Sequence, residues 1–110
     1  MTVSADERLD LVFGALADRT RRQLLAQLTS APASISELAA PHAMSLPGIS
    51  KHVRVLEHAG LIRRTVDGRV HRCTLQASAM RGADDWLARY RAFWTHTLDA
   101  LADYVGEDPA

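Results

Sequence analysis

Residues 34–75 read SISELAAPHAMSLPGISKHVRVLEHAGLIRRTVDGRVHRCTL. Ser34 with Glu37 three residues later has the spacing of a capping box and predicts a short helix. Ile35, Leu38 and Ala39 would face inward, and Pro41 with the small residues around it closes the helix early. Ser45 then caps a longer helix. Pro47 is tolerated in its first turn, where a backbone N–H has no intrahelical partner to lose. Leu46, Ile49, Val53 and Leu56 recur at spacings of three and four, which makes one apolar stripe. Gly60 after Ala59 is a natural helix stop. Two β-prone runs follow, 61–66 and 69–75, separated by Asp67-Gly68, a strong hairpin signal.

Working outward, residues 6–17 are apolar at Leu9, Val12, Phe13 and Leu16, again at helical spacing. Asp18 or Thr20 can cap the next helix, with Leu24, Leu25 and Leu28 inward and Arg19, Arg21, Arg22 and Gln23 outward. Ser30-Ala31-Pro32 ends it. On the other side, 78–104 reads as one long helix. Met80, Ala83, Leu87, Tyr90, Trp94, Thr97, Leu101 and Tyr104 alternate spacings of three and four without a break, and Trp86, Phe93 and Leu98 widen the stripe. Gly82 is its one weak helix former, and the tail after Val105 is expected to fray. The fold class is therefore mainly α with a small β-hairpin. The layout is a winged helix-turn-helix of about five helices and a two-stranded wing, occupying residues 1–110 as one domain.

The chain has 110 residues, 47% hydrophobic and 24% charged, which suits one domain with a modest core. No run of ~18 apolar residues predicts a membrane span. MTVSADERLD has acids and no long apolar run, unlike a secretory signal. One cysteine, Cys73, excludes an internal disulfide and suits a reducing cytoplasm. The net charge of zero hides an uneven distribution. Residues 45–77 carry Lys51, Arg54, Arg63, Arg64, Arg69 and Arg72 against Glu57 and Asp67. The segments on either side are net acidic. A basic patch confined to the helix–hairpin unit is the electrostatic footprint of a DNA-binding module.

On a helical wheel of about 100° per residue, Pro47, Gly48, Lys51, Arg54 and His58 lie opposite the stripe, with Ser50 nearer the edge. The second helix of a helix-turn-helix enters the major groove. Ser45, Pro47, Gly48, Ser50, Lys51, His52 and Arg54 are accordingly the candidate DNA contacts. Small residues at its start permit close approach, and Lys51 and Arg54 can reach guanine or phosphate. His52 sits at the flank of the stripe, where phosphate contact and packing are equally open. At the hairpin tip, Arg69 is the candidate for the minor groove. Arg63, Arg64 and Arg72 are candidates for phosphate neutralisation, although strand alternation allows about half of the four wing arginines to face DNA. The plain alternative for every one of them is a solvated surface residue.

The segments LADRTRRQLLAQL, SISELAAPHAMSLPGISKHVRVLEHAGLIRR and DGRVHRCTL resemble the ArsR/SmtB-type winged-helix transcriptional regulators over about residues 9–105. The recognition-helix pattern is met by Ser45, Ser50, Lys51, His52, Leu56, Ala59, Gly60, Leu61 and Ile62. The resemblance implies a cytoplasmic homodimer that represses transcription from an inverted repeat, often in its own promoter, until a signal releases it. Residues 34–60 would be the helix-turn-helix and 61–75 the wing. Residues 6–17 and 78–104 would be the dimerisation helices, with Leu9, Phe13, Leu87, Tyr90, Trp94 and Leu101 in the interface. The long aromatic stripe fits that role, since it exceeds what one side of a small monomer needs to bury; core packing is the alternative. Many relatives sense metals. Here the third helix has no cysteine pair, and His96 with Asp99 supplies half of a zinc ligand set at most. No metal, no cofactor and no catalytic residue is expected, because no phosphate loop, nucleophile elbow or H-E-x-x-H motif occurs. Two other readings remain: a winged helix that binds a protein partner, and a metal- or thiol-responsive version of the same repressor using His96 or Cys73. The effector is unknown.

Overall fold

The computed structural model describes residues 4–106 of the chain. Its elements run α1 (Ala5–Leu16), α2 (Arg19–Leu28), β1 (Ala33–Ser34), α3 (Ile35–Ala39), α4 (Leu46–His58), β2 (Ile62–Asp67), β3 (Val70–Leu75) and, after a 3-10 turn at Ala77–Ala79, α5 (Met80–Gly106). This is a winged helix-turn-helix. The frayed tail expected after Val105 falls on residues 107–110, outside the described residues, while Gly106 still belongs to α5.

Side-chain caps set the helix starts, because the first backbone N–H groups of any helix lack partners. Ser4 accepts from the Glu7 N–H at 3.1 Å, and Asp18, not Thr20, accepts from the Arg21 N–H at 3.0 Å. Ser34 and Glu37 form a reciprocal capping box. Ser45 accepts from the Gly48 N–H at 3.2 Å, with Pro47 in the first turn of α4. Gly60 ends α4 region at φ +81°, a left-handed conformation that other residues adopt at a cost.

The wing departs from expectation in two ways. Its turn is Gly68-Arg69, one residue later than Asp67-Gly68, and Asp67 pairs with Val70 instead. Glycine supplies the positive φ (+63°) at the first central position and Arg69 has none, the pattern of a type II′ turn. A type I′ turn would have forced Asp67 itself to a positive φ. In addition, Ala33 and Ser34 pair with Cys73 and Arg72, so the sheet has three strands in the order β1-β3-β2. A two-residue strand has no periodicity to read.

The core gathers one face from every element. Leu24, Leu38, Ile49, Val53 and Leu56 are each 0% exposed, and Leu61, Ile62 and Cys73 close it from the wing. Leu46 breaks the expected stripe: it is 49% exposed and lines an open groove between α3, α4 and the wing. The long helix also begins later than residue 78, at Met80. Only its start is anchored. Ala83 is buried against α1, and Phe13 meets Trp86 edge-on at 5.6 Å between ring centres. Beyond Leu87 every described residue of α5 is exposed. A helix of 27 residues is ~40 Å long at 1.5 Å per residue, so it overhangs its own domain. The radius of gyration, 18.4 Å, exceeds the ~13 Å of a compact chain of this length. No helix among the described residues is long and apolar enough to cross a membrane.

Candidate nucleic-acid interface

The candidate contacts on α4 divide by depth. Lys51 and Arg54 are exposed on the side opposite the core. Pro47 and the Ser45 cap are exposed at the helix start, while Gly48 and Ser50 are half-buried. Gly48 has a role inside the chain as well: a side-chain carbon there would come within 2.9 Å of Met44 Cγ, which lies across the first turn. Ser50, Leu46 and Pro47 line a groove of about 540 Å³ between α4 and the wing, with Arg69 and Val70 on its far side. The geometry thus brings the start of α4 and the wing tip to a common cleft.

The wing arginines separate by strand alternation. Arg63, opposite Thr74, and Arg72, opposite Thr65, share the outer face and are exposed. Arg64 is opposite Cys73 on the inner face. Its guanidinium donates to Glu57 of α4 at 3.2 Å and to His71 Nδ1 at 3.4 Å. The side chain is 15% exposed, and its Nε is a buried donor without a partner. Arg64 is therefore a strut between recognition helix and wing, and the expectation that it neutralises phosphate is corrected. Of the four wing arginines, Arg63, Arg69 and Arg72 are free of ion pairs among the described residues.

His52 occupies the opposite flank of α4, against α2. Its Nδ1 lies 3.2 Å from Arg21 Nη1 and 3.9 Å from Asp18 Oδ1. Arg21 also donates from Nε to the Ala15 carbonyl at 2.8 Å and from Nη2 to the Gly14 carbonyl at 3.2 Å. Neither Arg21 nor the Glu57–Arg64 pair stands out in the sequence, where all three read as surface charges. The only available signal was the helical phase, which puts His52 and Glu57 beside the core stripe, within reach of neighbouring elements.

The other titratable groups are consistent with a scaffold. Burial pushes the Cys73 thiol above its ordinary value, which disfavours the reactive thiolate. The Arg21 backbone N–H holds the Asp18 carboxyl below the usual range, and the Ser34 N–H does the same for Glu37. His42 Nε2 donates to Gln27 Oε1 at 2.7 Å, and Gln27 in turn donates to the Leu38 carbonyl, fixing the end of α3 to α2. His96 and Asp99 are exposed on α5. Among the described residues no group of three or more His, Cys, Asp or Glu side chains is placed to hold a metal ion.

The expected interface residues also sort. Leu9 and Phe13 are half-buried on their own chain's core, and Leu87 is half-buried. Tyr90, Trp94 and Leu101 are 42%, 43% and 57% exposed. Trp86, Tyr90 and Trp94 form a ladder along α5 with ring centres 4.8 and 5.9 Å apart.

Comparison with known proteins is consistent with this geometry. A helix-turn-helix domain family matches residues 16–65. An HTH-type transcriptional regulator of Mycobacterium tuberculosis is 30% identical over 99 residues, 90% of each chain. A crystal structure described as an ArsR family transcriptional regulator is 40% identical with a TM-score of 0.76, covering 86% of this chain and 97% of its own. A homodimeric winged helix-turn-helix domain from Mycobacterium bovis, described as a possible ArsR-family regulator, shares the fold. Its TM-score is 0.62 at 22% identity, over 77% of this chain and 82% of that one.

Proposed function

The chain belongs to the ArsR family of winged helix-turn-helix transcriptional regulators, and from that premise we propose that it is a homodimeric, cytoplasmic repressor that binds an inverted repeat and has no enzymatic activity. The observation that carries the reading is the overhang of α5. Phe93, Leu98, Leu101 and Tyr104 are each more than half exposed along one apolar helix, and a second copy of the same helix would cover them. In this reading residues 1–110 act as one domain, with α1 and α5 pairing across a two-fold axis and α4 displayed twice. Two-fold proteins read half-sites ~34–36 Å apart, which is why a palindromic operator follows from pairing.

On DNA, Ser45, Pro47, Gly48, Ser50, Lys51, His52 and Arg54 lie in or beside the major groove, and Arg69 reaches the minor groove next to it. Leu9, Phe13, Leu87, Tyr90, Trp94 and Leu101 form or border the interface. The exposed Lys51, Arg54 and Arg69 support this placement, as does the cleft shared by α4 and the wing. Arg63 and Arg72 supply phosphate charge on the outer face of the wing. Anisotropy titration of the purified protein against its own upstream region, at two salt concentrations and with unrelated competitor, tests the reading. Binding should resist the competitor and weaken steeply with salt, as phosphate neutralisation requires. Weak binding that the competitor abolishes would refute a self-regulating repressor.

A further inference from the structure

The DNA reading places His52 beside the major groove but gives no role to Arg21, which contacts it at the flank of α4 near Asp18. Its chemistry is constrained. A guanidinium is always protonated and offers only donors. His52 Nδ1, 3.2 Å from Arg21 Nη1, must therefore accept. Donation from the same nitrogen to Asp18 would require a hydrogen on it, and the 3.9 Å separation is beyond hydrogen-bond reach. The ring is then the Nε2–H tautomer. Nε2 has no hydrogen-bond partner in the described protein and is not among its buried unpartnered atoms, so it reaches solvent.

We propose that Arg21 is a positioning residue for DNA binding: by donating to His52 Nδ1 it holds the imidazole as the Nε2–H tautomer and presents that N–H to a backbone phosphate. The inference rests on α4 entering the major groove. A residue at the flank of such a helix faces the groove wall, where the sugar–phosphate backbone runs, while Lys51 and Arg54 face the bases. A neutral N–H donating to an ionised phosphate is a charge-assisted bond, and a preset tautomer removes the need to select one on binding. Arg21 cannot itself swing to the DNA without giving up the carbonyls of Gly14 and Ala15 at the end of α1. The same guanidinium therefore ties the helix proposed to pair with a second copy to the helix proposed to read DNA.

The test uses the full-length protein with nitrogen-15-labelled histidine and a duplex selected by the protein from a random pool. The long-range imidazole spectrum of the wild type at neutral pH should show His52 Nδ1 unprotonated and Nε2 protonated as a single tautomer, and Arg21→Gln, too short to reach Nδ1, should relax it to the tautomer mixture of a free imidazole. His52→Asn retains an oxygen where Nδ1 accepts, but its amide N–H groups fall near the Cδ2 position of the ring, short of where Nε2 reaches. It should keep its thermal midpoint and lose about tenfold in affinity. Arg21→Gln should lose a similar factor with the slope of log K against log salt unchanged, because a neutral donor releases no counterion. An arginine touching phosphate directly would lower that slope by about 0.9. An Nδ1–H tautomer in the wild type, a His52→Asn protein that binds as wild type, or a fallen salt slope in Arg21→Gln each overturns the proposal. If the wild type selects no duplex at all, the DNA reading fails and the phosphate role with it. The tautomer spectrum, which needs no DNA, would then report a purely structural bond.

Discussion

Helices α4 and α5 both repeat apolar residues every three or four positions, yet Ile49, Val53 and Leu56 are 0% exposed while Trp94, Leu101 and Tyr104 are 43%, 57% and 77% exposed. Periodicity tells which side of a helix is apolar; it does not tell what covers that side. In α4 the cover comes from α1, α2, α3 and the base of the wing, all of the same chain. In α5 the chain runs out of cover after Leu87. The charges follow the same division. The polar side of α4 presents Lys51 and Arg54, and its flanks are braced by Arg21 through His52 and by Arg64 through Glu57. The described acids of α5, Asp84, Asp85, Asp99 and Asp103, outnumber its arginines, Arg81, Arg89 and Arg91.

The comparison breaks most visibly where burial is complete. Leu56→Ala should cost about 2–5 kcal/mol of unfolding free energy, the range for a leucine deleted from a packed core. Urea denaturation at a protein concentration that holds the oligomeric state fixed would measure it, and a cost below 1 kcal/mol would show α4 less embedded than its exposure indicates. Trp94→Ala should spare the monomer and weaken self-association, by about 2 kcal/mol as expected of an aromatic interface anchor. Sedimentation equilibrium reads this directly; an unchanged dimer constant would mean that something other than a second α5 covers the stripe.

Smaller effects sharpen the polar side. Arg54→Ala should cost about 1–3 kcal/mol at the operator if it contacts a base, with discrimination relaxed at one position. A uniform loss over all sequences, with a reduced salt slope, would reassign it to phosphate. Asp18→Ala should cost about 1 kcal/mol by uncapping α2, read as a fall in the thermal midpoint. The carboxyls of Asp18 and Glu37 titrate below their unfolded values in the folded chain. Their stabilisation is therefore complete above the unfolded carboxylate range, about pH 4, and is lost as pH falls through the folded values. Asp18→Ala should flatten that acid limb, and an unaltered limb would remove the cap from the explanation.

Much of the local order was legible from residue type. Ser34 with Glu37, Ser45 before Pro47, Gly60 and the Gly68 turn act over three or four residues, through bonds that a hydroxyl, carboxylate or missing side chain makes with its own backbone. The candidate surface was legible in part. Lys51, Arg54 and Arg69 are exposed as their helical phase and turn position require, whereas Arg64 is not, since alternation divides a strand into two faces but only packing against Glu57 of α4 shows which one is covered. Leu46 was misplaced for a related reason: the stripe has the right phase, but its first member opens onto the groove between α3, α4 and the wing instead of being covered.

The sequence by itself determined the caps, the stops, the apolar stripes and the concentration of net positive charge in residues 45–77, because each is a short-range property of the chain. Tertiary structure alone decided that β1 would join the sheet and that Arg21 and Arg64 would brace α4 instead of facing solvent. It also left the stripe of α5 uncovered. Those outcomes depend on which surfaces arrive beside one another when a limited core is shared among five helices, and a 27-residue helix is simply longer than the domain that anchors it.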